Sequence, residues 1–196
     1  MLKKFILLFL LTLPILAVQS QSFYLPVPDK WSTETFSFPI EFAPQISYSG
    51  EEYLRFSPFW GDTKSDELWS YCFLWWITAD SRISQKSLEN DLQSYYSGLV
   101  GRNIIRRKID SALVVPTLTQ FKEVKTEKGD GKTFEGTVKM LDYMGLRPVI
   151  LQVTVHVIPC AIEGKIAVFF AVSPQPRSHP VWQQFKIVHE GFRCNK

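Results

Sequence analysis

The stretch ELWSYCFLWWIT, Glu67 to Thr78, decides the fold. Read as a strand, it divides cleanly between two sides. Trp69, Tyr71, Phe73, Trp75 and Ile77 fall on one side, and Ser70, Cys72, Leu74, Trp76 and Thr78 on the other. Five large groups on one face need a large partner, which the apolar faces of two helices elsewhere in the chain supply. That face is expected to be core. Trp76 points the opposite way, among smaller neighbours. With Trp60 from the preceding loop it is a candidate aromatic contact for a sugar, a peptide or another subunit. The competing reading is a second packed layer.

Working outward, Glu52–Phe59 reads as the preceding strand, and residues 36–48, broken by Pro39 and Pro44, as an irregular or edge strand. Downstream, Leu88, Leu92, Tyr95, Tyr96 and Leu99 share one helical face between Ser84 and Arg107. Ser84 or Ser87 can cap that helix, and Gly98 or Gly101 is expected to end it. Strands then follow one another. Residues 118–127 and 133–143 flank Lys128-Gly129-Asp130-Gly131, whose Asp-Gly pair signals a hairpin. Met144-Gly145 turns the chain into 148–158, where Leu151, Val153, Val155 and Val157 alternate with Gln152, Thr154 and His156. Residues 165–172 make the last strand. Pro180 opens a terminal helix bearing Trp182, Phe185, Val188 and Phe192 on one face. The expectation is α+β: a single antiparallel β-sheet of about six or seven strands, with an amphipathic helix mid-chain and a C-terminal helix packed on it.

The ends and the composition set the context. Lys3 and Lys4 precede an apolar run from Phe5 to Ala17, and Val18-Gln19-Ser20 offers small residues for cleavage. This is the three-part pattern of a secretory signal peptide, so residues 1–20 are expected to be removed and 21–196 to form one domain. The apolar run is short for a membrane span. Export to a periplasmic or extracellular space follows, with a bacterial envelope the best fit. The formal charge of +3 falls to +1 without the two leader lysines. A near-neutral chain gives no reason to expect nucleic acid or an anionic membrane as partner. The basic run Arg102, Arg106, Arg107 and Lys108 reads as a solvated helix end complementing the macrodipole. Residues 23–28, with two prolines, read as a short leader before the fold. Cys72, Cys160 and Cys194 allow one bridge at most within a chain, with Cys160–Cys194 preferred, and Cys72 is expected to pack as a small hydrophobe.

The chain resembles members of the PsbP-like superfamily, small exported or organellar domains with an antiparallel sheet flanked by helices. The element order carries the resemblance, together with the long helix ending in Tyr95-Tyr96-Ser97-Gly98-Leu99 and the close Phe185-Lys186-Ile187-Val188-His189-Glu190-Gly191-Phe192. Gly191 stands where such helices usually carry Ser. The resemblance implies a scaffold used mostly for non-catalytic binding or assembly.

Sites of known chemistry are mostly missing from the sequence. His156, His179 and His189 form no HxxxH or HExxH pair, and no CxxC occurs, so neither metal nor cofactor is expected. Asp62, Asp66 and Glu67 lack EF-hand spacing and read as solvated acids. There is no GxSxG elbow. His156 is the most informative polar residue, because it shares a strand face with Gln152 and Thr154 that could line a cleft. The function expected is an exported, non-enzymatic domain that binds a protein partner or small ligand, with Trp60, Trp76 and His156 as candidate contacts. The alternatives are a hydrolase or lyase with a site assembled around His156, and an envelope assembly factor without a small-molecule site. A deep pocket around His156 with a carboxylate close by would favour the enzyme. Oligomeric state stays open.

Overall fold

Tyr71–Thr78 is a strand buried on both sides, which is why its sequence is almost continuously apolar. The computed structural model describes residues 23–78, 83–160 and 164–194, so the expected signal peptide lies outside the described residues. In chain order the strands are β1 (Phe23–Tyr24), β2 (Ser32–Ser37), β3 (Gly50–Phe56), β4 (Tyr71–Thr78), β5 (Leu118–Val124), β6 (Lys132–Asp142), β7 (Arg147–Cys160), β8 (Lys165–Ser173) and β9 (Arg193–Cys194). The helices are α1 (Gln85–Arg107) and α2 (Val181–Gly191). Seven strands form one antiparallel sheet in the order β2-β3-β4-β8-β7-β6-β5, and β1 pairs with β9 in a separate ribbon. The fold is α+β with one mid-chain and one C-terminal helix.

The two helices cover opposite faces, whereas the sequence assigned both to one. Tyr71, Phe73, Trp75 and Ile77 lie under α1, in a cluster with Leu88, Leu92, Tyr95, Tyr96 and Val100. Phe73 stacks on Phe170 of β8 with ring centroids 4.4 Å apart, and on Tyr95 at 5.7 Å. Cys72, Leu74 and Trp76 lie on the other side, with Phe169, Phe185 and Val188. Trp69 is not on the strand at all. It sits in the preceding turn at φ 60°, where its indole N–H donates to Asp142 Oδ1 at 2.9 Å.

Three further expectations are corrected. α1 does not stop at Gly98 or Gly101 but runs to Arg107, with Lys108 in the left-handed cap conformation. Gly98 instead allows a crossing, since a Cβ there would lie 1.7 Å from the Phe42 carbonyl oxygen. At the other end, Ser84 and Ser87 form the capping box. Residues 23–28 are no loose leader. Phe23 packs on Trp76 and Tyr53 with centroids 4.8 and 4.9 Å away, and Arg55 donates to the Leu25 and Pro26 carbonyls at 3.3 and 3.2 Å. The edge strand lies earlier than expected, at β2, and Pro39 and Pro44 fall in the irregular connection after it. Cys160 and Cys194 are joined as a disulfide that ties β7 to β9, and Cys72 is free and buried.

Candidate functional site

The period-two pattern of β7 puts Thr154 and His156 on the α2 side of the sheet, and β6 sets Thr133 directly opposite His156. The connection between β5 and β6 then folds over this corner. Gly129, at φ 97°, allows the turn, and the Gly131 N–H donates to the Val157 carbonyl at 2.7 Å. That brings the Asp130 side chain inward rather than to solvent, with none of its surface exposed. His189 arrives from the last turn of α2, one turn beyond Phe185, whose ring anchors the helix in the core.

Asp130 is the hub of what results. Its Oδ2 accepts from Thr133 Oγ1 at 2.5 Å and from His156 Nδ1 at 2.8 Å, and its Oδ1 accepts from His189 Nε2 at 3.2 Å. The Thr133 hydroxyl oxygen in turn accepts from the Glu127 N–H at 3.0 Å. Burial pushes the Asp130 carboxyl up. The hydrogen bonds from His156, His189 and Thr133, with the electrostatic pull of His156, outweigh it and hold the group well below the usual carboxylate range. An ionised Asp130 has only lone pairs to offer, so His156 carries its proton on Nδ1 and His189 on Nε2. On the neutral rings the nitrogens left to meet a ligand are therefore His156 Nε2 and His189 Nδ1.

The two imidazoles stack at 3.7 Å with planes 23° apart, beside Phe169. Glu127, exposed on the hairpin, brings a carboxylate to them. One ligand atom from each of Glu127, His156 and His189 lies within 4.8 Å of the others. All three border a cleft of about 730 Å³. Lys125, Lys128, Lys186 and Arg177 contribute positive charge to its walls, against Glu127, Glu135 and Glu190. Arg177 places its guanidinium carbon over Trp182, 3.7 Å from the ring centroid, and donates to Val153 O and to Thr154 Oγ1. It therefore forms a fixed wall, held by that contact and by two acceptors.

Of the three candidate contacts named from sequence, Trp60, Trp76 and His156, only His156 is at this cleft. Trp76 is buried between Phe23 and Phe192 in the second packed layer. Trp60 is on the opposite side of the sheet, stacked on Phe56 at 4.4 Å. The sheet separates the two tryptophans, so they do not make a joint surface. His179 meets the exposed Asp66 at 3.2 Å, away from the cleft. Glu127 was passed over by sequence reasoning, Asp130 was read only as a hairpin turn residue, and His189 was weighed as a metal ligand and set aside because its spacing from the other histidines forms no ligand pair. His189 shares α2 with the apolar stripe that docks on this sheet face, but nothing in the sequence marks Asp130 beyond its turn. Comparison with protein-family models, curated proteins and solved structures finds no match.

Proposed function

We propose that the protein is an exported single-domain binding protein whose ligand is a divalent transition-metal ion, held by Glu127, His156 and His189. One observation carries the reading. Asp130 engages one nitrogen of each imidazole and so leaves the other for a ligand, and Glu127 brings a ligand oxygen into a set within 4.8 Å of both histidines at an open cleft. An acceptor behind each histidine is the usual support for a metal-bound imidazole, because it fixes tautomer and orientation and raises basicity. Two nitrogens and one carboxylate oxygen suit zinc, with bonds of about 2.0–2.2 Å. Ligands on one such ion stand about 3.3 Å apart, so the 4.8 Å set must draw in by about an ångström or two. The exposed Glu127 on its hairpin can make most of that movement. The Cys160–Cys194 disulfide supports the export part of the reading, since such bridges persist in oxidising compartments. No helix among the described residues is long and apolar enough to cross a membrane. The PsbP-like kinship is part of the same proposal and supplies a scaffold without chemistry.

A second reading is favoured by the cleft itself. Three protein ligands with further positions open to about 730 Å³ is the arrangement of a catalytic zinc site rather than a closed structural one. Metal-assisted hydrolysis of a substrate with an anionic group, met by Lys125, Lys128 and Lys186, is the reaction class to test.

Titration of zinc into the purified protein, followed by calorimetry, tests the first reading. One ion should bind per chain. His156→Ala and His189→Ala should each abolish binding, while Glu127→Gln should weaken it about tenfold or more. Absence of binding by the wild type, or equal binding by the histidine variants, would overturn it.

A further inference from the structure

The basic run at the end of α1 is not simply a solvated helix end. Arg102 places its guanidinium over the Phe42 ring, 4.7 Å from the centroid, and Arg107 lies 5.1 Å from that of Tyr143. Both arginines border a pocket of about 190 Å³ on the α1 face of the sheet, on the far side from the histidine cleft. Its walls are aromatic, with Phe42, Phe56, Trp60 and Tyr71 among them. Trp60 and Phe56 stack to form one side. A cavity of about 150 Å³ lined by apolar side chains accommodates benzene, so this one accepts a single ring with a small polar group attached.

The polar lining fixes the charge of the occupant. Arg102 Nε is buried and has no hydrogen-bond partner, and a buried donor without an acceptor is rare enough in folded proteins to call for an explanation. Glu34 also lines the pocket but forms no ion pair with Arg102 or Arg107 among the described residues. Burial lifts the Tyr143 hydroxyl to about 12 even though Arg107 and Arg102 pull it down, so it stays protonated and able to donate. Two guanidinium groups and a phenol against one carboxylate leave the pocket short of negative charge.

We infer that this pocket binds a small monoanion with a flat apolar body, an aromatic carboxylate in the first instance. The ring would lie against Trp60 and Phe56, and the carboxylate would take the free Arg102 N–H, with Arg107 and Tyr143 at hand. Arginine suits this task because its planar fork matches a carboxylate and also stacks on rings. The site is separate from the zinc site, and neither proposal needs the other.

Phenylacetate is the probe, with phenylacetamide as its uncharged counterpart, and tryptophan fluorescence and thermal unfolding of the wild-type protein are the readouts. Phenylacetate should change the fluorescence saturably and raise Tm, and phenylacetamide should bind about tenfold or more weakly. Arg102→Gln should lose phenylacetate to a similar degree while keeping a cooperative thermal unfolding transition in the absence of ligand, which shows that the variant is folded. Should that variant not fold, Arg107→Gln, at an exposed position, takes its place with a smaller expected loss. No saturable response to phenylacetate, equal binding of the amide, or undiminished binding by a folded variant would each overturn the proposal.

Discussion

Glu52 and Asp130 are both carboxylates withdrawn from water, one on each side of the same sheet, and they are solvated by the protein in opposite ways. Glu52, under α1, accepts from Trp75 Nε1 at 3.0 Å and from Tyr95 Oη at 3.3 Å. Burial dominates there, and the neutral donors offset it only in part, so its pKa is pushed up to about 8. Asp130, under α2, faces two imidazoles and a hydroxyl and is held well below the usual range. What separates the two is the nature of the donors. A carboxylate closed in by indole and phenol stays protonated through most of the neutral range. One that orients two histidines stays charged and can organise a site. Glu52 itself is thus enclosed in core, whereas the histidines that Asp130 orients border an open cleft.

The largest effect expected from this contrast is on stability against pH. Glu52 has a folded pKa above its unfolded value, so the folded state holds a proton that the unfolded state has released. Its contribution is full below about pH 4 and is lost as pH rises through about 8. The slope in that window is up to about 1 kcal/mol per pH unit from this group alone. Urea unfolding of wild type and Glu52→Gln across pH 5–9 should show the two converging in acid, with the variant the more stable above pH 8. A wild-type curve parallel to the variant's would show that Glu52 is charged in the fold, and the contrast would fail.

An intermediate effect should come from Asp130→Asn. The amide keeps one acceptor oxygen and loses the charge, so one imidazole N–H is left without its partner. A cost of about 2 kcal/mol is expected in urea unfolding, with zinc affinity about 10–100-fold weaker. The sign with pH is opposite to that of Glu52. The folded pKa of Asp130 is depressed, so its contribution is present above the unfolded carboxylate range and is lost as pH falls through the folded value. The gap between wild type and Asp130→Asn should therefore be full at neutral pH and narrow only in strong acid. A gap that shrinks between pH 8 and pH 6 would assign the effect elsewhere.

These residues also show what a sequence can and cannot display. Alternation in β7 placed His156 on the right face, and the central strand's two-sided pattern was legible because periodicity is local. Asp130 was legible only as a turn former. An Asp before Gly in a hairpin is fully accounted for by turn chemistry, so nothing in the sequence asks for a second role. His189 follows Val188 in a helix whose apolar stripe is itself sufficient to explain packing. The three residues are 26 and 59 positions apart in their pairings, and only the sheet order and the docking of α2 bring them together. Gly98 misled for a related reason. Its value lies in the approach of Phe42 from a distant loop, which no helix propensity records. Trp69 was assigned to the strand by alternation alone, although its bond to Asp142 holds it in the turn.

The smallest expected effect separates the carboxylate from its supports. Thr133 donates to Asp130 and accepts from the Glu127 N–H, so it links the hub to the hairpin that carries Glu127. Thr133→Val keeps the shape and β-branching of the side chain and removes only the hydroxyl. The loss should be about 1 kcal/mol in urea unfolding, because His156 and His189 still satisfy the Asp130 oxygens. The zinc measurement is the sharper one. If Thr133 acts by holding Glu127 over the histidines, affinity should fall several-fold in Thr133→Val and scarcely further when Glu127→Gln is added. Independent, additive losses in the double variant would mean that the hairpin's position does not depend on this hydroxyl. Thr133 would then be only a third donor to Asp130.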